Sequence, residues 1–265
     1  MNGNESYNNG EFMAPRYEEG GNTYQSYEDL SGGFESGNAV QASLYQLKSL
    51  MYEEVIGKAF IFMVAALVIT AFAAFTAPSY MLAWLAKTPY GFYLIFGAEI
   101  AIVLVSNSVL RKNNVVLAAI LYTVYSYLTG ATVGIIMLLY TGRSVAAVFL
   151  MTAGMFGVMA IYGLLTKRDL SSMGSLFLMG LVGIIIAGVV NIFLLHSTML
   201  DLIISVAGVL IFVGLTAYDV QKLKERVNLS GTASATAVAM AGAFELYLDF
   251  INLFLKLLRL FGKRK

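Results

Sequence analysis

The chain contains no cysteine among its 265 residues, and only 12% of them are charged. The first absence excludes disulfide staples, thiolate catalysis and thiolate metal sites. The second is far from the about 25% charge of a soluble domain. The net charge of +1 leaves no excess of basic residues for nucleic acid, and no nucleic-acid partner is expected. Catalytic motifs are also missing: no HExxH, no P-loop, no glycine-rich dinucleotide loop in context, and no Ser/His/Asp set. The single histidine, His196, falls in a short loop. The expectation is a protein that is not an enzyme and carries no cofactor.

Apolar residues, at 58%, fill the space that charge leaves. From Gly57 onward they form runs of about 20 residues, the length that crosses a hydrocarbon core of ~30 Å at 1.5 Å per residue. Seven spans are predicted, at about 57–77, 90–110, 115–139, 144–165, 174–195, 200–221 and 238–260. The fold class is therefore all-α, a polytopic membrane helix bundle covering residues 46–265. Residues 1–45 are dominated by Gly, Asn, Ser, Glu and Tyr, cannot bury enough apolar surface to order themselves, and are expected to form a disordered tail. The first apolar run begins too far along for a cleavable signal, so the first membrane helix is expected to direct insertion.

Small residues recur at close spacing inside the spans: Gly130 and Gly134, Gly154 and Gly157, Gly180 and Gly183. Such spacing lets helix backbones approach closely in lipid. Orientation follows the basic residues. Arg111, Lys112, Lys167, Arg168, Lys222, Lys224 and Arg226 follow even-numbered spans, whereas Lys87 and Arg143 follow odd ones. This predicts a cytoplasmic N-terminus. The basic ending GKRK opposes the outward C-terminus that seven spans would give, which leaves a crossing or a re-entrant last segment.

Acids within these runs are few, and an ionised side chain at the bilayer centre costs at least ~2.5–3.5 kcal/mol. Glu99 lies in the second span, Asp219 near the end of the sixth, and Glu245 and Asp249 in the seventh. Asp201 sits at a span boundary and is given no role. On the last segment Glu245, Asp249, Asn252, Lys256 and Arg259 step by 4, 3, 4 and 3, one continuous helical stripe. A helix with one polar stripe and apolar sides suits the centre of a bundle; the other solution is an amphipathic helix on the membrane surface. Asp219 can meet this stripe at a cytoplasmic vestibule, although it lies ~5–8 Å from its predicted helix end and Asp249 ~15 Å from its own. Two carboxyl groups a few Å apart in low dielectric would share a proton. Such a pair is a pH switch, a contact for a hard cation such as Ca²⁺, or a structural link between helices.

Three stretches carry a more specific message: FLMTAGMFGVMAIYGLLTKRDLSSMGSLFLMGLVGIIIAGVVNIFL, GLTAYDVQKLK and AFELYLDFINLFLKLLRLFGKRK. In order and wording they resemble the Bax inhibitor-1 family, also called transmembrane BAX-inhibitor-motif proteins, and its bacterial branch in particular. The resemblance runs from about residue 50 to the end. It implies about seven helices with the last one central, in a bacterial plasma membrane. It implies a pH-sensitive calcium leak channel or carrier, with calcium and protons as its partners besides the lipid bilayer. The gating and pH-sensing aspartates of the family map onto Asp219 in TAYDVQ and Asp249 in LYLDFINLF, which would also be the calcium contacts. A family glutamate resembles Glu99, which with Glu245 would line the cation path. Arg111 is the nearest candidate for an arginine latch of the closed state. Other family roles, modulation of a membrane protease partner or suppression of cell death, need no transport. An intramembrane hydrolase using paired aspartates remains a further alternative.

Overall fold

The computed structural model describes residues 52–229 and 234–265; the predicted tail lies outside them. The described residues form helices throughout. They are α1 (Tyr52–Thr76), α2 (Pro78–Lys87), α3 (Gly91–Arg111), α4 (Val115–Met137), α5 (Gly142–Leu165), α6 (Ser171–Val190), α7 (Thr198–Leu229) and α8 (Ala235–Phe261). Seven of them, all but the short α2, are long and apolar enough to cross a membrane.

The boundaries follow local chemistry. Pro78 lacks the N–H that would continue α1, so it starts α2 instead. Asn113 takes the left-handed conformation (φ 54°) that ends α3, and the side chain of Asn114 accepts the Leu117 N–H to cap α4. Asp169 accepts the Ser171 N–H at the start of α6, which keeps its carboxyl below the usual carboxylate range. A π-helical turn, Asn191–Leu195, closes α6. There Asn191 donates to the Ser197 carbonyl and accepts the Ser197 N–H, and exposed His196 occupies the resulting left-handed turn. His196 thus shapes a loop.

The last helix is the centre of the bundle. Its most apolar window is 72% buried, against 6% for α6. It is less hydrophobic than α6 yet far more enclosed, because in lipid the greasiest helices face outward and the polar stripe must face protein. Ile61, Val68, Phe72, Ile185 and Leu210 are among the large apolar side chains left on the outer surface. Inside, Tyr122 and Tyr125 of α4 pack edge-on or tilted against Phe244 and Tyr247 of α8, with ring centroids 5.1–6.0 Å apart. Thr70 of α1 donates to the Ser126 carbonyl, so the 2.6 Å contact between Thr70 and the Tyr247 hydroxyl has tyrosine as donor. Three helices are locked at one point.

Of the glycine pairs, Gly130 and Gly134 form a true seam: a Cβ on either would strike the α1 backbone at Thr70 or Ala74. Gly154, Gly157 and Gly183 face open space, and Gly180 only meets Ile211. Their small size serves no comparable contact among the described residues. Gly163 plays the seam role between α5 and α7, against the Ala217 carbonyl.

One expectation changes, and one open alternative is decided. The sixth span does not end near residue 221; α7 continues to Leu229, because no glycine or proline interrupts it. Lys222, Lys224 and Arg226 are therefore helical residues, not loop residues. The last segment is one continuous helix, not a re-entrant hairpin. Its end is tied to the α4–α5 connection, where Thr141 N–H donates to the Lys263 carbonyl (2.9 Å) and Lys265 N–H to that of Leu139 (3.0 Å). The C-terminus thus lies on the same side of the bundle as the α4–α5 turn.

Gln221 joins α7 to the α5–α6 connection, accepting the Leu170 N–H and donating to the Arg168 carbonyl, both at 2.8 Å. Gln221→Leu should therefore destabilise by about 1–3 kcal/mol, the cost of a buried N–H left without a partner. Gly130→Ala should cost about 1–3 kcal/mol through overpacking, whereas Gly154→Ala should be neutral or slightly stabilising. Thermal unfolding in detergent measures all three; equal melting temperatures for the two glycine variants would overturn the seam.

Candidate functional site

The site is built where α7 and α8 run antiparallel. On α7, Asp219, Lys222 and Arg226 share a face by their spacing of 3 and 4; on α8, Glu245 and Asp249 lie one turn apart. The extension of α7 settles their depth. Asp219 is ten residues from the end of α7, ~15 Å, and Asp249 fourteen from the start of α8, ~21 Å. Side-chain reach covers the remaining offset.

The Asp219 and Asp249 carboxyl groups face each other across the α7–α8 junction, close enough to interact. Ionised carboxylates only accept, so a hydrogen bond between these two groups would need one proton between them. Asp249 is only 5% exposed, and its Oδ2 has no hydrogen-bond partner among the described residues. Basic groups approach from one side. Arg226 holds Glu245 with two hydrogen bonds, 2.8 and 2.9 Å, while Lys222 lies 3.5 Å from Glu245 and 4.0 Å from Asp219. The result is a ladder, Asp249, Asp219, Lys222, Glu245, Arg226, in which charge alternates from Asp219 onward. Its geometry sets two cations against three acids.

These acids open onto a cavity of about 590 Å³. Asp219, Glu245, Asp249, Asn252, Lys256 and Arg259 all line it, so the whole polar stripe of α8 faces one space. Its opposite wall is apolar, from α6 and Phe96 of α3. A larger cavity of about 840 Å³ between α1, α4, α5 and α8 has no acidic lining. The surface-helix alternative for the last segment is excluded by this burial.

Asp219, Asp249 and Glu245 are thus brought together; Glu99 and Arg111 are not. Glu99 faces α4, where the Thr132 hydroxyl donates to it at 3.4 Å, and it does not line the acidic cavity. Arg111 is exposed at the end of α3 and forms no ion pair among the described residues. The cations that reach the acids are Lys222 and Arg226, missed because they read as loop charges. Their spacing from Asp219 was the available signal. No local pattern signals the pairing of Asp201 with Arg259, which joins the first turn of α7 to the last turn of α8.

A family model described as Inhibitor of apoptosis-promoting Bax1 matches residues 52–265, all of the described helices. The inner membrane protein YbhL of Escherichia coli K12 is 46% identical over 171 residues, 63% of this chain and 73% of that protein. An uncharacterized protein of Rickettsia prowazekii is 41% identical over 213 residues, 78% of this chain and 89% of its own length. An uncharacterized membrane protein of Streptococcus pyogenes serotype M1 is 38% identical over 179 residues, 68% of this chain and 77% of its own. With seven membrane-length helices around a polar-striped centre, the chain is an integral membrane protein and belongs to the Bax inhibitor-1 family.

Proposed function

We propose that the protein is a pH-sensitive calcium leak channel or carrier whose switch is the Asp219–Asp249 pair. One observation carries this reading: two carboxyl groups from neighbouring helices face each other at the edge of a cavity inside a membrane bundle. With the proton in place the contact ties α7 to α8. When the proton leaves, two negative charges face each other in a low-dielectric site and repel. The helices then part, and the same charges attract a divalent cation.

Calcium is cargo in this reading, not a resident ligand. Asp219 and Asp249 supply two carboxyl groups, whereas a tightly held Ca²⁺ takes about six to eight oxygen ligands. Glu245 is already engaged by Arg226 and Lys222. Its release would add a third carboxylate to the path. Glu99, turned toward α4, has no part in this step.

The sign of the pH effect follows. Raising the pH removes the shared proton, so flux rises, and a single protonation step spreads over about two pH units. In Asp219→Asn or Asp249→Asn the amide donates permanently in place of the proton. Each variant should flatten the pH profile of calcium flux into liposomes holding the purified protein. Wild-type slopes in both variants would place the switch elsewhere. Wild-type protein without flux at any pH would shift the reading to a regulator of a membrane partner, with the acids as structural links between helices.

A further inference from the structure

The cavity beside the aspartate pair has a second end. Its lining extends from Asp219 and Glu245 along α8 through Asn252 and Lys256 to Arg259, and across to Asp201 on α7. Asp201 and Asp219 are eighteen residues apart on one helix, ~27 Å. At the far end Asp201 and Arg259 form an ion pair. The pair bridges the first turn of α7 and the last turn of α8, the two helices whose contact the aspartates control. Between the ends the opposite wall is apolar, so hydrocarbon on that side disfavours an ion leaving sideways.

We propose that the Asp201–Arg259 ion pair is a second gate, closing the cavity at the end opposite Asp219 and Asp249. Three features support this. Both residues line the same cavity as the aspartates, and the pair links the same two helices. Arg259 sets a fixed positive charge in the exit of a cation path, neutralised only while Asp201 holds it. Lys256 stands one turn further in, its stem lying across Gly208, where a Cβ would come within 3.0 Å of the lysine Cε. It forms no ion pair among the described residues. The exit is thus basic where the inner end is acidic. The aspartates and the ion pair thus stand at opposite ends of one cavity, each set spanning α7 and α8. Calcium as the ion that passes is taken from the function proposed above; the closure itself rests on the ion pair and the cavity.

The absence of cysteine supplies the test. A single thiol, Asn252→Cys, reports access to the cavity in reconstituted vesicles of either orientation. The probe is a membrane-impermeant cationic thiol reagent. With Asp201 and Arg259 intact, labelling should be slow from the face that carries the α6–α7 connection. Asp201→Asn and Arg259→Gln should each raise the rate from that face about fivefold, the population change expected on losing a partly exposed ion pair. The charge-exchanged double variant, Asp201→Arg with Arg259→Asp, should return it toward the parent rate. Unchanged labelling in both single variants overturns the gate. Labelling needs no ion flux, so vesicles that show gated labelling but no calcium leak support the gate and remove the calcium reading. A pH-dependent leak with labelling insensitive to both variants does the reverse.

Discussion

An ionisable side chain inside hydrocarbon must find a partner within the protein or draw water to itself. The last helix carries four such residues and one asparagine in one stripe, from Glu245 to Arg259. That stripe dictates the architecture. It cannot face lipid, so α8 goes to the centre, and the more uniformly apolar helices form the sheath. The other face of α8 is then free to pack Tyr247, Phe250 and Phe254 against α1, α4 and α5. Fold and site have the same cause.

The partners found for the stripe are of three kinds. Glu245 takes a bidentate arginine, Arg259 takes an aspartate, and Asp249 faces another carboxyl group, which on the function proposed above it meets through a shared proton. The first two are ordinary opposite-charge solutions. The third differs in depending on a species the solution can remove. A pair of carboxyl groups holds helices together only while protonated, and pushes them apart otherwise. The junction of α7 and α8 therefore combines lasting bonds with a conditional one.

Close packing makes such a junction consequential. Gly163 and Gly242 bring α5 and α8 against α7, through the Ala217 carbonyl and Leu223, with no slack between them. Gln221 ties the α5–α6 connection to the same helix. A small displacement of α7 is felt at once by its neighbours, since packed interfaces exchange one arrangement for another instead of deforming smoothly.

The sequence by itself determined the number of spans, the membrane class, the central place of the last helix and the candidacy of Asp219 and Asp249. Each of these rests on a local pattern: runs as long as a bilayer, a stripe at helical spacing, acids too costly to leave in lipid. Tertiary structure alone decided which charges meet. Lys222 and Arg226 read as loop residues until α7 was seen to continue past them, while Glu99, an acid of the same type as Glu245, turned away toward Thr132. Asp201 and Arg259, 58 residues apart, paired only because two helices returned past each other. Periodicity describes one helix at a time. The rotation and depth of a helix against its neighbours come from glycine seams, aromatic contacts and hydrogen bonds that no single segment contains.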